Sequence, residues 1–236
     1  MSAPPVTTVR ATTLTPFHYH SVAVPSGTAT LARFLADRSM SYALAGALGA
    51  LRPSVVLPSK DYRRDLGALP CLCSAFETAE PRLLPPLAKR LNLDVEGGYP
   101  KRVQDATATG NLKSWFFVQE VPPGVAYDGA VFGPDPFEAA GRVDGRRVDE
   151  IVVRTGRHLG GLLSVQRHPV ERVRLNVHTA HLFGDDPAAD PRLAVDVFAL
   201  YDMQLTAPLD ISEAAEVVGR WRGFAPELEP EPELTA

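Results

Sequence analysis

Ser114-Trp-Phe-Phe-Val-Gln-Glu-Val121, followed at once by Pro122-Pro123-Gly124, is the most strand-like stretch of the chain. Aromatic and β-branched residues suit a pleated, half-buried surface, and the Pro-Pro-Gly run forces a turn. Ala126 to Phe132 is then the expected hairpin partner. Upstream, Val6 to Leu14 is rich in valine and threonine and reads as a first strand closed by Pro16. Downstream, Val148–Arg154, Leu162–Gln166 and Arg172–His178 read as further strands, and Leu193–Leu205 is apolar and β-prone. Helical patterns lie between and after them. Pro25-Ser-Gly marks a turn, after which Ser26 or Thr28 is placed to cap a helix through Leu31, Phe34 and Leu35. Ser39–Leu51 is rich in alanine and leucine, with Gly46 and Gly49 permitting close packing. Cys71–Phe76 predicts a short buried strand, Leu83–Leu91 a short helix begun by Pro85-Pro86, Pro134–Asp144 a loop with a short helix, and Ser212–Trp221 a last helix capped by Ser212. A strand, then helices, then a run of strands defines an α+β chain with an antiparallel sheet.

At 236 residues the chain can bury a sizeable core. Its 22 prolines and 18 glycines predict short elements and many loops. No apolar run approaches the roughly 18 residues of a membrane helix. Met1–Arg10 has no basic start followed by an apolar run, so a secretory signal is not expected. Cys71 and Cys73 are too close in sequence for a structural disulfide, which fits a reducing, cytoplasmic setting. The net charge is −4, and four of the acids, Glu227, Glu229, Glu231 and Glu233, sit in a Pro/Glu-alternating C-terminus. Without them acids and bases balance. Residues 1–224 are therefore read as one domain and 225–236 as a disordered acidic tail. A neutral body excludes nucleic-acid binding through overall charge, so any such binding rests on local basic clusters.

The catalytic inventory is thin. There is no Gly-x-Ser-x-Gly, no phosphate-binding Gly-x-x-x-x-Gly-Lys and no His-Glu-x-x-His. His18 and His20 share a strand face, and His178 and His181 lie far along the chain, but no ligand set of standard spacing emerges. Cys71-Leu-Cys73 is one pair where a zinc site needs two, so it reads as part of a buried strand. No metal and no cofactor are expected. The arginines carry more information. Lys60-Asp-Tyr-Arg-Arg64 mixes bases with a ring. Lys101, Arg102 and Lys113 lie in or beside the long polar stretch 94–113, and Arg142, Arg146 and Arg147 fall in one turn region. Arg154-Thr-Gly156-Arg157-His158 joins bases to glycine, so that backbone amides can approach a phosphate that arginine grips. The candidate RNA-binding set is Arg147, Arg154, Gly156, Arg157, His158, Lys101, Arg102 and Lys113. The bland alternative is a set of solvated turns.

Three stretches in order resemble the Cas five family, the RAMP-superfamily subunit at the foot of type I CRISPR Cascade complexes, most of all its type I-D group. They are Arg38-Ser-Met-Ser-Tyr-Ala-Leu-Ala-Gly-Ala-Leu-Gly49, Gly110-Asn-Leu-Lys-Ser-Trp-Phe-Phe-Val-Gln-Glu-Val-Pro-Pro-Gly124 and Ile151-Val-Val-Arg-Thr-Gly-Arg-His-Leu-Gly160. His158-Leu159 stands where that family has an aromatic residue or methionine. The resemblance implies a ferredoxin-like, RRM-related antiparallel sheet with an extended insertion, the thumb, near 94–112. It also implies a structural role: holding the 5′ handle of guide RNA (crRNA) and contacting the Cascade backbone and large subunits, with target DNA reached through the complex. Some members of the family cut the guide precursor without metal, and Tyr19, His18, His20 and Lys60 are the residues that such chemistry would draw on here. An α+β protein-interaction domain with no RNA role is the third reading.

Overall fold

The computed structural model describes residues 3–19, 21–24, 27–51, 61–90, 115–143, 146–156 and 160–222. The expected thumb near 94–112 and the acidic tail lie outside the described residues. Along the chain, β1 (Val6–Thr13) leads to β2 (Ser21–Val24), β3 (Gly27–Thr30), β4 (Phe34–Leu35) and helix α1 (Asp37–Ala47). Helix α2 (Tyr62–Gly67) precedes β5 (Leu72–Cys73), β6 (Phe76–Glu77) and β7 (Leu87–Arg90). Then come β8 (Trp115–Gln119), β9 (Ala126–Phe132), α3 (Pro136–Ala139), β10 (Arg142–Val143), β11 (Arg146–Arg147), β12 (Glu150–Thr155) and β13 (Gly161–Arg167). The chain continues with β14 (Arg172–Val173), α4 (Val177–Leu182), β15 (Val195–Leu200), β16 (Met203–Thr206), β17 (Leu209–Asp210) and α5 (Ile211–Arg222).

The main sheet runs β12-β13-β1-β9-β6-β4, with β5 also on β9, and every pairing in it is antiparallel. The molecule is thus α+β with an antiparallel sheet, as expected, and consistent with a ferredoxin-like class. β1 is central because its side chains alternate so cleanly: Thr7, Val9, Ala11 and Thr13 are buried. β12 alternates likewise, burying Ile151, Val153 and Thr155 and exposing Glu150, Val152 and Arg154. The buried sides of β1, β12 and β13 share one core with Met40 and Leu44, four residues apart on α1. A second core gathers Phe132, Leu66, Phe183, Val217, Val218 and Trp221, and α5 closes it with Trp221 stacked on Phe183 at 6.0 Å.

Several local expectations are corrected. β8 and β9 are not hairpin partners: β8 pairs with β3 in parallel and with β7, in a separate sheet ordered β2-β3-β8-β7. The turn between β8 and β9 is held by the end of β1 instead. Val121 N donates to Phe17 O at 2.9 Å, Thr13 N to Val125 O at 3.0 Å, and Gly124 takes φ 78°. These bonds send the chain from one sheet into the other. Thr28 lies in β3 rather than capping a helix, Phe34 and Leu35 form the edge strand β4, and the first helix starts at Asp37. Pro85-Pro86 leads into strand β7, not a helix, because Leu87–Arg90 pairs with β8. The strand expected over Arg172–His178 stops at Val173. Asn176 then caps α4, accepting from His178 N at 3.1 Å. Ser212 falls inside α5, and the start of that helix is held by Glu213, which accepts from Asp210 N at 3.1 Å.

Candidate functional site

Helix α1 ends in a tight stop: Ala50 N donates to Ala45 O at 2.8 Å and Gly49 takes φ 69°. Its outer side carries Ser39, Tyr42, Ala43, Gly46 and Ala47, which with Leu51 form one wall of a groove of about 610 Å³. The other wall is Val152, Arg154, Thr155 and Gly156, along β12 and the turn beyond it. Small side chains keep the groove open, while Leu51 and Val152 leave apolar surface bare at 43 % and 49 % exposure. Burial pushes the Tyr42 hydroxyl up to about 12, so it remains a neutral donor.

Two of the expected RNA-binding residues therefore meet here. Gly156 takes φ 81°, and a Cβ on it would stand 3.2 Å from Phe17 Cβ and 3.3 Å from His18 O. Gly161, across the turn, is tighter still: a Cβ there would lie 2.5 Å from Phe17 Cβ. Phe17 thus seats both ends of the turn. Arg154 projects from the strand just before it. Most other arginines among the described residues are spent in ion pairs. Arg10 forks onto Asp128 at 2.7 and 2.8 Å, Arg167 pairs with Asp135, Arg172 with Asp210, and Arg174 with Glu77 and Asp196. Arg38, Arg192 and Arg220 are likewise in ion pairs. Arg154 is exposed and has no ion-pair partner among the described residues.

Arg147 does not join this group. It lies beyond the other end of β12, at the end of β11, and the seven-residue step from 147 to 154 at about 3.3 Å each sets the two arginines on the order of 20 Å apart. There it faces Glu138 at 3.6 Å and lines a smaller pocket with Phe137, Gly141, Val148, Asp149 and Arg167. Arg157, His158, Lys101, Arg102 and Lys113 lie outside the described residues.

The open side of the sheet is equally informative. Pairing aligns Asp128, Arg10, Gln166 and Glu150 in one row and Ala126, Thr12, Ser164 and Val152 in the next. No aromatic residue stands in these rows, and Glu150 accepts from Ser164 Oγ. These two rows offer no platform for base stacking, the habit of RRM-type domains on the sheet face. Across the groove from Arg154 stands Tyr42 of α1, a residue that sequence reasoning did not single out. The signal that would have marked its helix face is the small-residue spacing Ala43, Gly46, Ala47.

Of the residues considered for metal-free RNA cleavage, Tyr19 and His18 are otherwise engaged. Tyr19 packs on Phe17, its hydroxyl accepts from Ala36 N at 3.1 Å, and burial raises its pKa well above the ordinary range. His18 Nδ1 lies 3.1 Å from Glu120 Oε1. His20 and Lys60 lie outside the described residues. Cys71 and Cys73 are buried, and burial pushes the Cys73 thiol well up. No described helix is long and apolar enough to cross a membrane.

No family model matches the chain, and no curated protein matches it. Among solved structures it is similar to a chain of the type III-B Cmr-β complex bound to cognate target RNA and AMPPnP, seen by cryo-electron microscopy. Identity is 10 %, the TM-score is 0.39, and the match covers 86 % of this chain and 83 % of that one.

Proposed function

We propose that this chain is a structural RNA-binding subunit of a CRISPR effector complex, which holds single-stranded guide RNA at the β12 end. The observation that carries the proposal is Arg154, an exposed guanidinium with no carboxylate partner among the described residues, most of whose arginines are paired. It sits beside a glycine turn that lets backbone amides approach a phosphate, with Arg157 and His158 next in sequence. Across the groove Tyr42 offers a ring and a hydroxyl to a base. The resemblance to the Cas five family supplies the class of partner. In its finer form the subunit caps the crRNA 5′ handle in a type I Cascade and touches its backbone and large subunits. The role is a grip.

The test is retention of a single-stranded repeat RNA by the wild type and by Arg154→Ala/Arg157→Ala at several salt concentrations. Each phosphate contact to a single strand adds about 0.7 to the salt slope, so the double variant should flatten it by roughly 1 to 1.5 units. Its melting curve should stay normal, since exposed arginines contribute little to stability. An unchanged slope would make these arginines ordinary surface charges.

A further inference from the structure

The two ends of the main sheet differ. At one end β4 is two residues long, too short to template another strand. At the other, β12 is a six-residue strand in unbroken register with β13. The bonding of Leu162 fixes which way β12 faces. Leu162 N donates to Thr15 Oγ1 at 2.8 Å and its carbonyl accepts Leu14 N at 2.8 Å, both toward β1. In β13, then, Leu162, Ser164 and Gln166 point their backbone groups at β1, and Gly161, Leu163 and Val165 point theirs at β12. It follows that Ile151, Val153 and Thr155 are satisfied within the sheet, while the N–H and C=O groups of Glu150, Val152 and Arg154 face outward. Among the described residues no strand pairs with that edge.

Natural sheets guard such an edge with proline, a bulge, an inward-pointing charge, charged edge side chains or a covering element. β12 has no proline, bulge or inward-pointing charge, and its two outward charges are of opposite sign. Its outward side chains read Glu150, Val152, Arg154: acid, apolar, base. Laid antiparallel against a copy of itself with the two-fold axis at Val152, the edge is self-complementary. Glu150 falls opposite Arg154 of the second copy, Val152 opposite Val152, and Arg154 opposite Glu150. Opposite charges directly across strands attract, and the same strand laid in parallel would set like against like. The groove beside the edge adds apolar surface, with Leu51 and Val152 both exposed and Ala43, Gly46 and Ala47 small enough for close approach.

We infer that the outer edge of β12 is the dyad contact of a homodimer, in which two main sheets join into one through paired Glu150–Thr155 strands. This goes beyond the RNA reading and constrains it. Arg154 cannot serve a phosphate and the Glu150 of a second copy together, so the dimer is the RNA-free form, and RNA dissociates it.

Sedimentation of the RNA-free chain tests the idea through a charge swap. Wild type should be dimeric. Glu150→Arg alone and Arg154→Glu alone each set like charges across both symmetric positions and should weaken the dimer on the order of tenfold or more. Glu150→Arg/Arg154→Glu restores the complement and should restore the dimer. The double variant has lost the arginine at 154, so a restored dimer with weakened RNA retention separates the two readings. Val152→Cys supplies an independent measurement, because facing Cα atoms of a bonded antiparallel pair are about 5.5 Å apart, within disulfide reach. Mild oxidation should cross-link it into a covalent dimer. A wild type that is monomeric at its highest soluble concentration, single variants that self-associate as well as wild type, a swap that fails to restore association while folding normally, or an uncrosslinked Val152→Cys would each overturn the inference. Loss of the RNA salt effect with an intact dimer would count against the RNA reading alone.

Discussion

A single glycine shows how tightly the turn beside the site is specified. Gly161 closes the last β12–β13 pair opposite Thr155, and its missing Cβ is what lets Phe17 lie against the strand. Gly161→Ala would drive a methyl to 2.5 Å from Phe17 Cβ and 3.0 Å from Thr155 O. Backbone and ring must both shift, and such overpacking costs about 1–3 kcal/mol. For a chain of this size that lowers the melting temperature by roughly 3–10 °C, readable by circular dichroism. If the turn presents phosphate ligands, RNA retention should fall as well, although no charge has been removed. In the sequence Gly161 was one glycine among several. Its necessity comes from Phe17, about 140 positions earlier, and only folding brings the two together.

At the scale of elements, the polar join between α1 and α4 matters most. Asn176, 1 % exposed, donates through Nδ2 to Asp37 Oδ1 at 2.9 Å and to Asp202 O at 3.0 Å. Its Oδ1 accepts from His178 N at 3.1 Å and from Gln204 N at 3.3 Å. One side chain thus caps α4, anchors the first turn of α1 and ties down the β15–β16 hairpin. Asp37, also held by Thr179 Oγ1, would lose a donor inside the protein. Asn176→Ala combines a lost cap with an under-satisfied buried carboxylate, together about 3 kcal/mol. Thermal melting should fall by roughly 6–12 °C, with Thr179→Ala a milder version of the same lesion. Strand propensity extended across Asn176 in the sequence. The cap won because its partners, Asp37 and Asp202, come from other elements, which no local pattern shows.

For the whole molecule, one charge network holds the last helix on the body. Asp190, 9 % exposed, takes Arg192 at 2.8 Å and Arg220 at 2.7 Å, while Asp185 takes Arg220 at 2.7 Å and Trp221 Nε1 at 3.0 Å. The Arg192 hydrogen bonds in particular hold the Asp190 carboxyl well below its ordinary 3.8. A carboxyl whose pKa is depressed on folding adds stability above its unfolded pKa, and that stability is lost as pH falls through the folded value. The protein should therefore lose stability on acidification below about pH 4. Asp190→Asn should melt lower at neutral pH and show a shallower fall over the acid range, and parallel curves for the two proteins would show that this network is not the acid-sensitive element. Among the described residues most arginines are committed to ion pairs, and Arg154 is one of the few, with Arg63, Arg82 and Arg146, that are not.

The sequence by itself determined the α+β class, β1, β9, β12 and β13 to within a residue or two, and the glycine turn after Arg154. These are set by local rules: alternation of apolar residues along a strand, β-branched and aromatic enrichment, and glycine where a backbone must take positive φ. Only the tertiary structure decided that β8 and β9 belong to different sheets, that Pro85-Pro86 opens a strand, and that Arg147 and Arg154 stand at opposite ends of β12. It alone also decided which arginines are spent in ion pairs. The reason is physical: strand partners and charge partners here lie tens to more than a hundred residues apart, as with Arg10 and Asp128, and no window of sequence contains both. The outward Glu150-Val152-Arg154 pattern was written in the chain throughout, but it became an edge only when Leu162 turned its backbone toward β1.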